Sequence, residues 1–402
     1  GGMSAAAVNG ACQRSAEQRP EIELLLCCGR ARLNTAQAAR VRALAAGALD
    51  WNYLLSLADR HGLQPLLYYH LNKVCAASVP ADQHARLRTA AQRVAAFNTL
   101  LTRELQKLLA LFATEGIAAM PYKGPSLAAE IYDNVALRQY GDLDILVRRA
   151  DVARAGTLLS AEGYATYLPL TAAQQEVLLR TQCNLPFTRE RNRLVVELHW
   201  AVSAPHFARP FAADELWTRR EPAQLADTQI ERPAAEDMLL ALCVHGAKHL
   251  WERLAWLCDI AGLIERHGRA LKWAELIDTA RATGSERMLF LGLRLATDLL
   301  GAELPPAAQQ AVAADRAVAT LAAAVRRDLF TPELTPSGLG GYFRFQLSAR
   351  RRLRDKLNYL RFAVTPTEED LAKLSVPAPF TFVYYLLRPM RMLITGGPRH
   401  FH

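Results

Sequence analysis

Apolar residues recur every three or four positions over the first part of the chain, from Pro20 to about Gly116. This spacing places them on one face of successive helices. Two runs that show it are Trp51, Leu54, Leu55 and Ala58, and Leu101, Leu105, Leu108 and Phe112. The pattern predicts an all-α region over residues 20–115, ending in a long helix. Residues 1–19 are small and polar without this period and are predicted to form a disordered tail.

The pattern then changes to short apolar runs separated by polar turns. The predicted strands are residues 116–122, 142–147, 164–168, 183–189 and 194–202. Between them we expect one helix with Pro125 at its first position and another that is capped by Asp151 and ends at Gly163. Strands and helices that alternate in this way predict an α+β core over residues 116–220.

The helical period returns at Ala234, where a helix carries both His245 and His249. Further helices are predicted at residues 251–265, 272–283, 285–301, 305–328 and 346–361. The glycine-rich stretch Gly338–Gly341 is expected to interrupt the chain. The pattern therefore predicts a helical domain over residues 221–335 and a helical extension over residues 336–402.

Composition narrows the class of protein. Of the 402 residues, 51% are apolar and 22% are charged, which is typical of folded domains and excludes wholesale disorder, collagen and a coiled-coil rod. The seven cysteines contain no C-x-x-C pair. This argues against a disulfide framework or a zinc ribbon and favours a reducing compartment.

Apolar runs and charge bear on location and partners. The longest apolar run near a terminus, Phe380–Ile394, is interrupted by Arg388 and Pro389, so it is too short for a membrane span. No signal peptide is recognisable, and we expect a cytoplasmic protein without a membrane partner. The net charge of +9 indicates either a basic surface or an anionic substrate such as a nucleotide.

Two aspartates on one predicted strand are the first candidates for chemistry. Asp142 and Asp144 stand two positions apart, so their carboxylates share one face about 6.6 Å apart along the backbone. Carboxylates so placed can hold Mg²⁺, which prefers oxygen ligands and leaves positions for phosphate oxygens. Alone, a D-x-D pair arises by chance about once in a chain of this length, and two solvated aspartates are the simpler interpretation.

The surrounding residues strengthen the metal interpretation. Lys123-Gly124-x-Ser126 joins a predicted strand to a helix N-terminus, where free N–H groups favour phosphate. Gly124 would let the backbone approach closely and Lys123 would supply positive charge. Glu197 lies between apolar neighbours on a later strand, where an acid is costly to bury unless it is paired or metal-bound.

These motifs together resemble the uncharacterised nucleotidyltransferase-like family of bacteria, within the DNA-polymerase-β-like nucleotidyltransferase fold. The resemblance covers most of the chain from about residue 20. It rests on Tyr122-Lys123-Gly124, Ser126-Leu127-Ala128, Tyr132, Arg138, Gly141–Val147, Gly163-Tyr164, Glu197–Trp200, His245–His249, Arg253-Leu254, Trp256-Leu257, Asp259–Ala261 and the P-T-x-x-D stretch at Pro366. It implies an α+β polymerase-β-like core with a small mixed sheet, flanked by all-α regions.

The resemblance also implies an activity and residue roles. A nucleoside monophosphate would pass from an NTP to a hydroxyl or phosphate of a small-molecule or peptide acceptor, with two Mg²⁺ ions (or Mn²⁺) and release of pyrophosphate. Such genes often neighbour natural-product or polysaccharide biosynthesis genes, so a tailoring role is expected. Asp142, Asp144 and Glu197 would be the metal-binding and catalytic acids. Lys123-Gly124 replaces the superfamily's Gly-Ser, which alters the phosphate grip.

Other residues keep alternatives open. Lys123, Gly124, Ser126 and Arg138 are predicted to bind or support the nucleotide. His245, Lys248 and His249 share one helix face, and three interpretations apply: helix packing, contact with the triphosphate, or zinc binding with Asp259, although the pattern is not H-E-x-x-H.

The basic residues near the C-terminal end predict one further surface. Arg350, Arg351, Arg352, Arg354 and Lys356 would form a basic helix face, either solvated or in contact with RNA or a phosphorylated acceptor. RNA is not the favoured partner because aromatic residues are sparse there. A non-catalytic nucleotide-binding scaffold and a tRNA-modifying nucleotidyltransferase of the toxin type remain as alternative functions.

Overall fold

The computed structural model describes residues 19–166, 170–208, 213–331, 338–374 and 376–395. Over these residues, helices surround a five-stranded mixed sheet, and a separate two-stranded sheet lies beside them. The α+β fold class is therefore confirmed. The predicted tail, apart from residue 19, and the end of the predicted strand at residues 164–168 lie outside the described residues.

From residue 19 onward, where the described chain begins, five helices precede the sheet. They are α1 (Pro20–Cys28), α2 (Thr35–Ala45), α3 (Trp51–Arg60), α4 (Gln64–Cys75) and α5 (Ala81–Thr114). Side-chain caps fix two of the starts, since Asn34 accepts from the N–H of Gln37 and Asp50 accepts from that of Tyr53. Helix α5 joins two hydrophobic cores, because Leu87 packs with the helical core and Leu105 packs under the sheet.

The five-stranded sheet has the order β1-β2-β5-β4-β3. Its strands are β1 (Ala119–Pro121), β2 (Leu143–Val147), β3 (Ala165–Thr166), β4 (Asn184–Arg189) and β5 (Leu194–His199). Strands β2 and β5 run parallel, and the other neighbours are antiparallel. The register places Asp144 directly beside Glu197. Because side chains alternate between the faces of a strand, these two acids point to the same side.

Helices α6 (Gly124–Tyr132), α7 (Val152–Ala161) and α8 (Ala172–Thr181) lie between the strands. Sequence analysis expected the Asp151 side chain to cap α7, and this is wrong. Its carboxylate makes no cap hydrogen bond and instead accepts from Arg154. Helix α8 was not predicted. The β4–β5 hairpin turns without glycine because Arg193 adopts the left-handed conformation, with φ at 55°.

A short helix and a hairpin precede the second helical region. These are α9 (Ala213–Thr218), β6 (Glu221–Leu225) and β7 (Thr228–Arg232). Sequence analysis missed this hairpin, whose turn places Ala226 at a φ of 53°. The helices that follow are α10 (Ala235–Lys248), α11 (Leu254–His267), α12 (Trp273–Thr283), α13 (Glu286–Leu300), α14 (Pro306–Ala314) and α15 (Arg316–Leu329).

Over residues 338–374 and 376–395, the C-terminal extension contains α16 (Gly338–Ser348), α17 (Leu353–Leu360), α18 (Glu368–Lys373) and α19 (Val383–Thr395). The prediction of one basic helix over residues 346–361 is wrong, since α16 and α17 are separate helices. Arg350 lies between them with only 1% of its surface exposed, and its guanidinium donates to the carbonyl of Phe207. The glycines at Gly338–Gly341 lie in the first turn of α16 and do not interrupt it.

None of the helices in the described part of the chain combines the length and the apolar character that crossing a bilayer requires.

Candidate functional site

A cavity of about 700 Å³ opens between the sheet, helix α10 and the C-terminal extension. It is lined by eight of the ten residues that the sequence analysis proposed for the site: Lys123, Arg138, Asp142, Asp144, Glu197, His245, Lys248 and His249. Gly124 and Ser126 do not line it; within the described residues, both are buried in the first turn of α6. The fold thus brings together residues that are up to 126 positions apart, from Lys123 to His249.

Three side chains meet at the floor of the cavity. His199 Nε2 lies 3.0 Å from Asp144 Oδ1 and 3.1 Å from Glu197 Oε2. One ligand atom from each of these residues lies within 4.8 Å of the other two, and in the described ranges they form the group that could hold a metal ion. Asp142 lines the same cavity outside this group. The group that could hold a metal ion therefore includes His199, which was not predicted, and does not include Asp142.

Neighbouring residues hold the two acids in place. Asn184 lies opposite His199 on β4, and its amide donates to Glu197 Oε2 at 2.9 Å. The Lys123 ammonium donates to Asp144 Oδ1 at 3.1 Å. Each acid is thus held by a donor from a different strand end, which fixes its rotamer before any ligand binds.

The turn before α6 explains how Lys123 reaches this position. Gly124 follows it with a φ of 55°, and a Cβ there would lie 3.4 Å from the carbonyl oxygen of Asp142. The left-handed conformation and the close approach both favour glycine. Tyr122, on the other side of Lys123, brings its hydroxyl 3.2 Å from His199 Nδ1.

The charges at the floor are strongly coupled. Burial acts to raise the pKa of Asp144, but the ammonium of Lys123 and the hydrogen bond from His199 outweigh it, and the pKa falls below its usual range. Burial, together with the negative charges of Asp144 and Glu197, raises the pKa of Asp142 to about 7. The repulsion between the three carboxylates therefore raises the pKa of Asp142 in particular.

Histidine at this position takes up a positive charge. Burial acts to lower the pKa of His199, but hydrogen bonds with Asp144, Cys183 and Glu197 raise it well above its usual value. Without a metal ion, His199 and Lys123 are the cations that neutralise Asp144 and Glu197. The floor of the cavity therefore places the positive charges of His199 and Lys123 beside carboxylates.

The opposite wall has a different character. The ring centroids of His245 on α10 and His249, the residue that follows this helix, are 4.6 Å apart. Both rings pack against Trp256 of α11, at 5.0 and 5.5 Å. Burial, followed by the charge of Lys123, holds the pKa of His245 well below its usual value. Lys248 is exposed at the cavity, and among the described residues its ammonium makes no ion pair.

Arg138 and Asp259 form a buried ion pair at the edge of the cavity. The guanidinium donates to both carboxylate oxygens of Asp259, at 2.9–3.0 Å. This pair ties the segment before β2 to α11. It also occupies the carboxylate that the zinc interpretation required as a third ligand, and in the part of the chain that the structure covers, Asp259 forms no metal-ligating group with His245 and His249.

The C-terminal extension completes the cavity with residues that the sequence analysis did not assign to it. These are Tyr342, Tyr359, Phe362, Thr367, Glu368, Glu369 and Arg388. Burial and the nearby charge of Glu197 raise the pKa of Glu368 to about 7. His206, from the loop before α9, packs its ring against Phe362 at 5.4 Å.

Sequence reasoning also missed His199. It stands two positions after Glu197 on one strand, so the spacing argument that paired Asp142 with Asp144 applied to it equally. No such signal existed for Asn184, because its contact depends on the pairing of β4 with β5. None existed for Glu368 either, because it is distant in sequence from every site residue that was predicted.

Comparison with known proteins identifies the family. Residues 47–301 match the family described as "Uncharacterised nucleotidyltransferase", and a comparison with curated proteins finds no match. Because the family match spans more than half of the chain, the protein belongs to this nucleotidyltransferase family, as its motifs predicted. The match ends before the P-T-x-x-D stretch at Pro366, so the C-terminal extension lies outside it.

Proposed function

We propose that this member of the family is a metal-dependent nucleotidyltransferase that moves a nucleoside monophosphate from an NTP to an acceptor and releases pyrophosphate. The observation that carries the proposal is the in-register pairing of Asp144 with Glu197 on parallel strands at the floor of the cavity. Asp142 lies two residues before Asp144 and lines the same cavity. These acids, the lysines beside them and the family membership support the same chemistry.

The donor set fits a divalent cation. Asp144 and Glu197 offer hard carboxylate oxygens, which suit Mg²⁺ or Mn²⁺, and His199 offers a ring nitrogen within the same group. Lys123 and protonated His199 place positive charge where a cation would balance the acids, and His199 would give up its proton when its ring nitrogen binds the ion. Mg²⁺ bound there would stabilise negative charge on the transferred phosphoryl group. Asp142 is the further acid available to a second ion.

The remaining polar groups suit a triphosphate. Lys123 and Lys248 lie on opposite walls of the cavity, where their ammonium groups would contact phosphate oxygens as point charges. Positioning and charge stabilisation account for most of the catalysis in phosphoryl transfer. Arg138 is assigned a positioning role, since its guanidinium holds Asp259.

The acceptor is proposed from the shape of the cavity. Glu368 of the extension lies near enough to Glu197 for the charge of Glu197 to raise its pKa, and Phe362 lines the same cavity. A volume of about 700 Å³ leaves room for an NTP and a small acceptor group. We assign to it a hydroxyl or phosphate of a small molecule or peptide. The RNA alternative is weaker than the sequence suggested, because Arg350 is buried and the basic residues do not form one helix face.

A second candidate function is nucleotide binding without catalysis. Gly124 and Ser126 do not line the cavity in the described chain, and Lys123 pairs with Asp144. The phosphate grip therefore differs from the Gly-Ser arrangement of the superfamily, and a scaffold that binds NTP without turnover would be consistent with that difference.

Two measurements separate these functions. Calorimetric titration with each of the four NTPs, in Mg²⁺ and in EDTA, measures binding, and pyrophosphate release over a panel of hydroxyl-bearing and phosphorylated acceptors measures turnover. We expect Mg²⁺-dependent NTP binding and acceptor-dependent release, both lost in Asp144→Asn and kept in Asp59→Asn, which alters an exposed aspartate of α3. Binding without release for any acceptor would favour the scaffold. No binding in either condition would contradict both functions.

A further inference from the structure

The C-terminal extension contains a helix whose apolar face points outward. In α17, Asp355 and Tyr359 are buried, and the amide of Asn358 donates to the carbonyl of Pro205 at 2.8 Å. Leu353 and Leu357, on the opposite face, are 71% and 55% exposed. A helix that packs on a soluble core normally buries its leucines and exposes its polar residues. The orientation of α17 is the reverse of that rule.

Helix α19 repeats the same inversion. Arg388 is only 2% exposed, and its guanidinium lies 5.0 Å from the ring centroid of Phe362. Leu386 and Met390 are exposed, as is Phe382 immediately before the helix. Tyr359 of α17 stacks on Phe362 as well, with the two ring planes within 2°. The inner sides of α17 and α19 therefore both contact the ring of Phe362, and their apolar faces point away from it.

We call the outward residues of these two helices the outer face. It comprises Leu353, Leu357, Leu360, Phe382, Tyr385, Leu386 and Met390. Of the eleven large hydrophobic residues that are exposed within the described chain, ten lie between Leu353 and Met390, and the exception is Leu100. Scattered exposed leucines need no explanation, but a concentration of this kind marks an interaction surface.

The charged residues around the outer face indicate which kind of partner it binds. Between Ser348 and Thr367 the sequence contains six basic residues and one acidic residue. Of the three acidic residues that follow, Glu368 and Glu369 line the cavity and Asp370 is buried. The acidic residue, Asp355, is buried with Arg350, so the exposed charges of this stretch are all positive. Arg351 pairs with Glu286 and Arg354 lies 3.7 Å from a carboxylate oxygen of Asp355, while Arg352 and Arg361 are exposed. A second copy of the chain docked on this face would bring like charges together, which disfavours self-association.

We propose that the outer face binds the surface of an anionic membrane. Leucine and phenylalanine side chains would enter the boundary between head groups and acyl chains, and the flanking arginines would contact anionic head groups. Arginines near such a surface are attracted to it, so the apolar and electrostatic parts act together. The contact lies on the surface of the bilayer and needs no membrane-spanning helix.

This placement leaves the cavity open to substrate. Arg388 and Phe362 line the cavity from the inner side of the extension, and the outer face lies on the opposite side of the same helices. The membrane contact is therefore independent of the proposed transferase activity and is tested without turnover.

The experiment is co-sedimentation of the full chain with vesicles of phosphatidylcholine alone or with about 30% phosphatidylserine. We expect binding to the anionic vesicles, weakened by salt, and little binding to the neutral ones. The triple variant Leu353→Ser, Leu357→Ser, Leu360→Ser should reduce the partition coefficient about tenfold or more. The matched control is Leu100→Ser, which removes the exposed leucine outside the extension and should bind like the wild type.

Several results would overturn the proposal. One is the absence of sedimentation with anionic vesicles, and another is equal binding by the triple variant, which would mean that the leucines do not enter the bilayer. A dimer in light scattering that the triple variant abolishes would assign the face to a second copy. Asp144→Asn should sediment like the wild type, so a failed transferase assay and a failed membrane assay remain distinguishable. Circular dichroism verifies that each variant is folded.

Discussion

The two walls of the cavity shift the pKa values of their histidines in opposite directions. On the strand wall, hydrogen bonds with Asp144 and Glu197 raise the pKa of His199. On the helical wall, burial lowers the pKa of His245, and in the loop before α9, burial together with the charge of Lys248 lowers the pKa of His206 to about 3. The strand wall therefore holds positive charge among carboxylates, whereas the helical wall holds neutral rings beside cations.

This difference matches the two halves of a metal–nucleotide complex. A wall of carboxylates attracts metal ions, and a wall with a free ammonium and neutral, flat rings accommodates phosphate and apolar groups. Neither wall alone would bind both. We therefore expect substitutions on the strand wall to remove metal dependence and substitutions on the helical wall to change nucleotide affinity more mildly.

The largest expected effect is on the strand wall. Asp144→Asn removes a carboxylate that contacts both Lys123 and His199, and we expect pyrophosphate release to fall by about a thousandfold, as for the loss of one transition-state electrostatic contact. Steady-state release at saturating Mg²⁺ checks this. Asp59→Asn serves as the control, and a variant at Asp144 with wild-type turnover would remove the metal assignment from this strand.

The strand wall was also the part that sequence could predict. Two-residue spacing on a strand identified Asp142 and Asp144, and an acid among apolar neighbours identified Glu197, because both arguments depend only on local geometry. His199 obeys the same spacing and was overlooked. The position of Lys123 beside Asp144 was not implied, since it depends on the pairing of β1 with β2.

The helical wall and the extension could not be predicted in the same way. Periodicity identifies the apolar face of a helix, but it assumes that this face is buried. In α17 the assumption fails, because Asp355 points inward and Leu357 points outward. Arg350 was predicted on a basic surface, although a carbonyl and two aromatic rings draw its guanidinium inside. Only tertiary contacts determine these orientations.

The next effect in size concerns how the extension is attached. The buried guanidinium of Arg350 donates to the carbonyls of Phe207 and Gln346, both at 2.6 Å. Arg350→Met would leave both acceptors buried without a donor, and we expect the free energy of unfolding to fall by about 2–4 kcal/mol. Urea denaturation measures it. Arg354→Met, at an exposed position of α17, should change stability by less than about 0.5 kcal/mol, and equal losses would mean that the inner contacts do not hold the extension.

A smaller effect is expected on the helical wall itself. Lys248→Ala removes an exposed ammonium at the cavity, and we expect NTP affinity to weaken about tenfold, the equivalent of about 1.4 kcal/mol, with Mg²⁺ dependence retained. Calorimetry with the NTP that binds most tightly checks both quantities. Lys272→Ala, an exposed lysine at the start of α12, is the matched control. Loss of Mg²⁺ dependence in Lys248→Ala would mean that metal binding is not confined to the strand wall.

The smallest expected effect is a pH dependence of the free energy of unfolding that arises from His206. Its ring is neutral in the folded protein because burial and the nearby charges of Lys248, Arg350 and Arg388 lower its pKa to about 3, whereas the unfolded chain takes up a proton near pH 6.5. Between about pH 3 and pH 6.5 the unfolded state therefore binds more protons than the folded state. The contribution of neutral His206 to the free energy of unfolding is complete above about pH 6.5 and declines as the pH falls toward about 3. Between pH 7.5 and 6 we expect wild-type stability to fall by about 1 kcal/mol relative to His206→Gln, measured by urea denaturation at each pH. Parallel curves for the two proteins would mean that His206 is not held neutral, and the contrast with His199 would then rest on His245 alone.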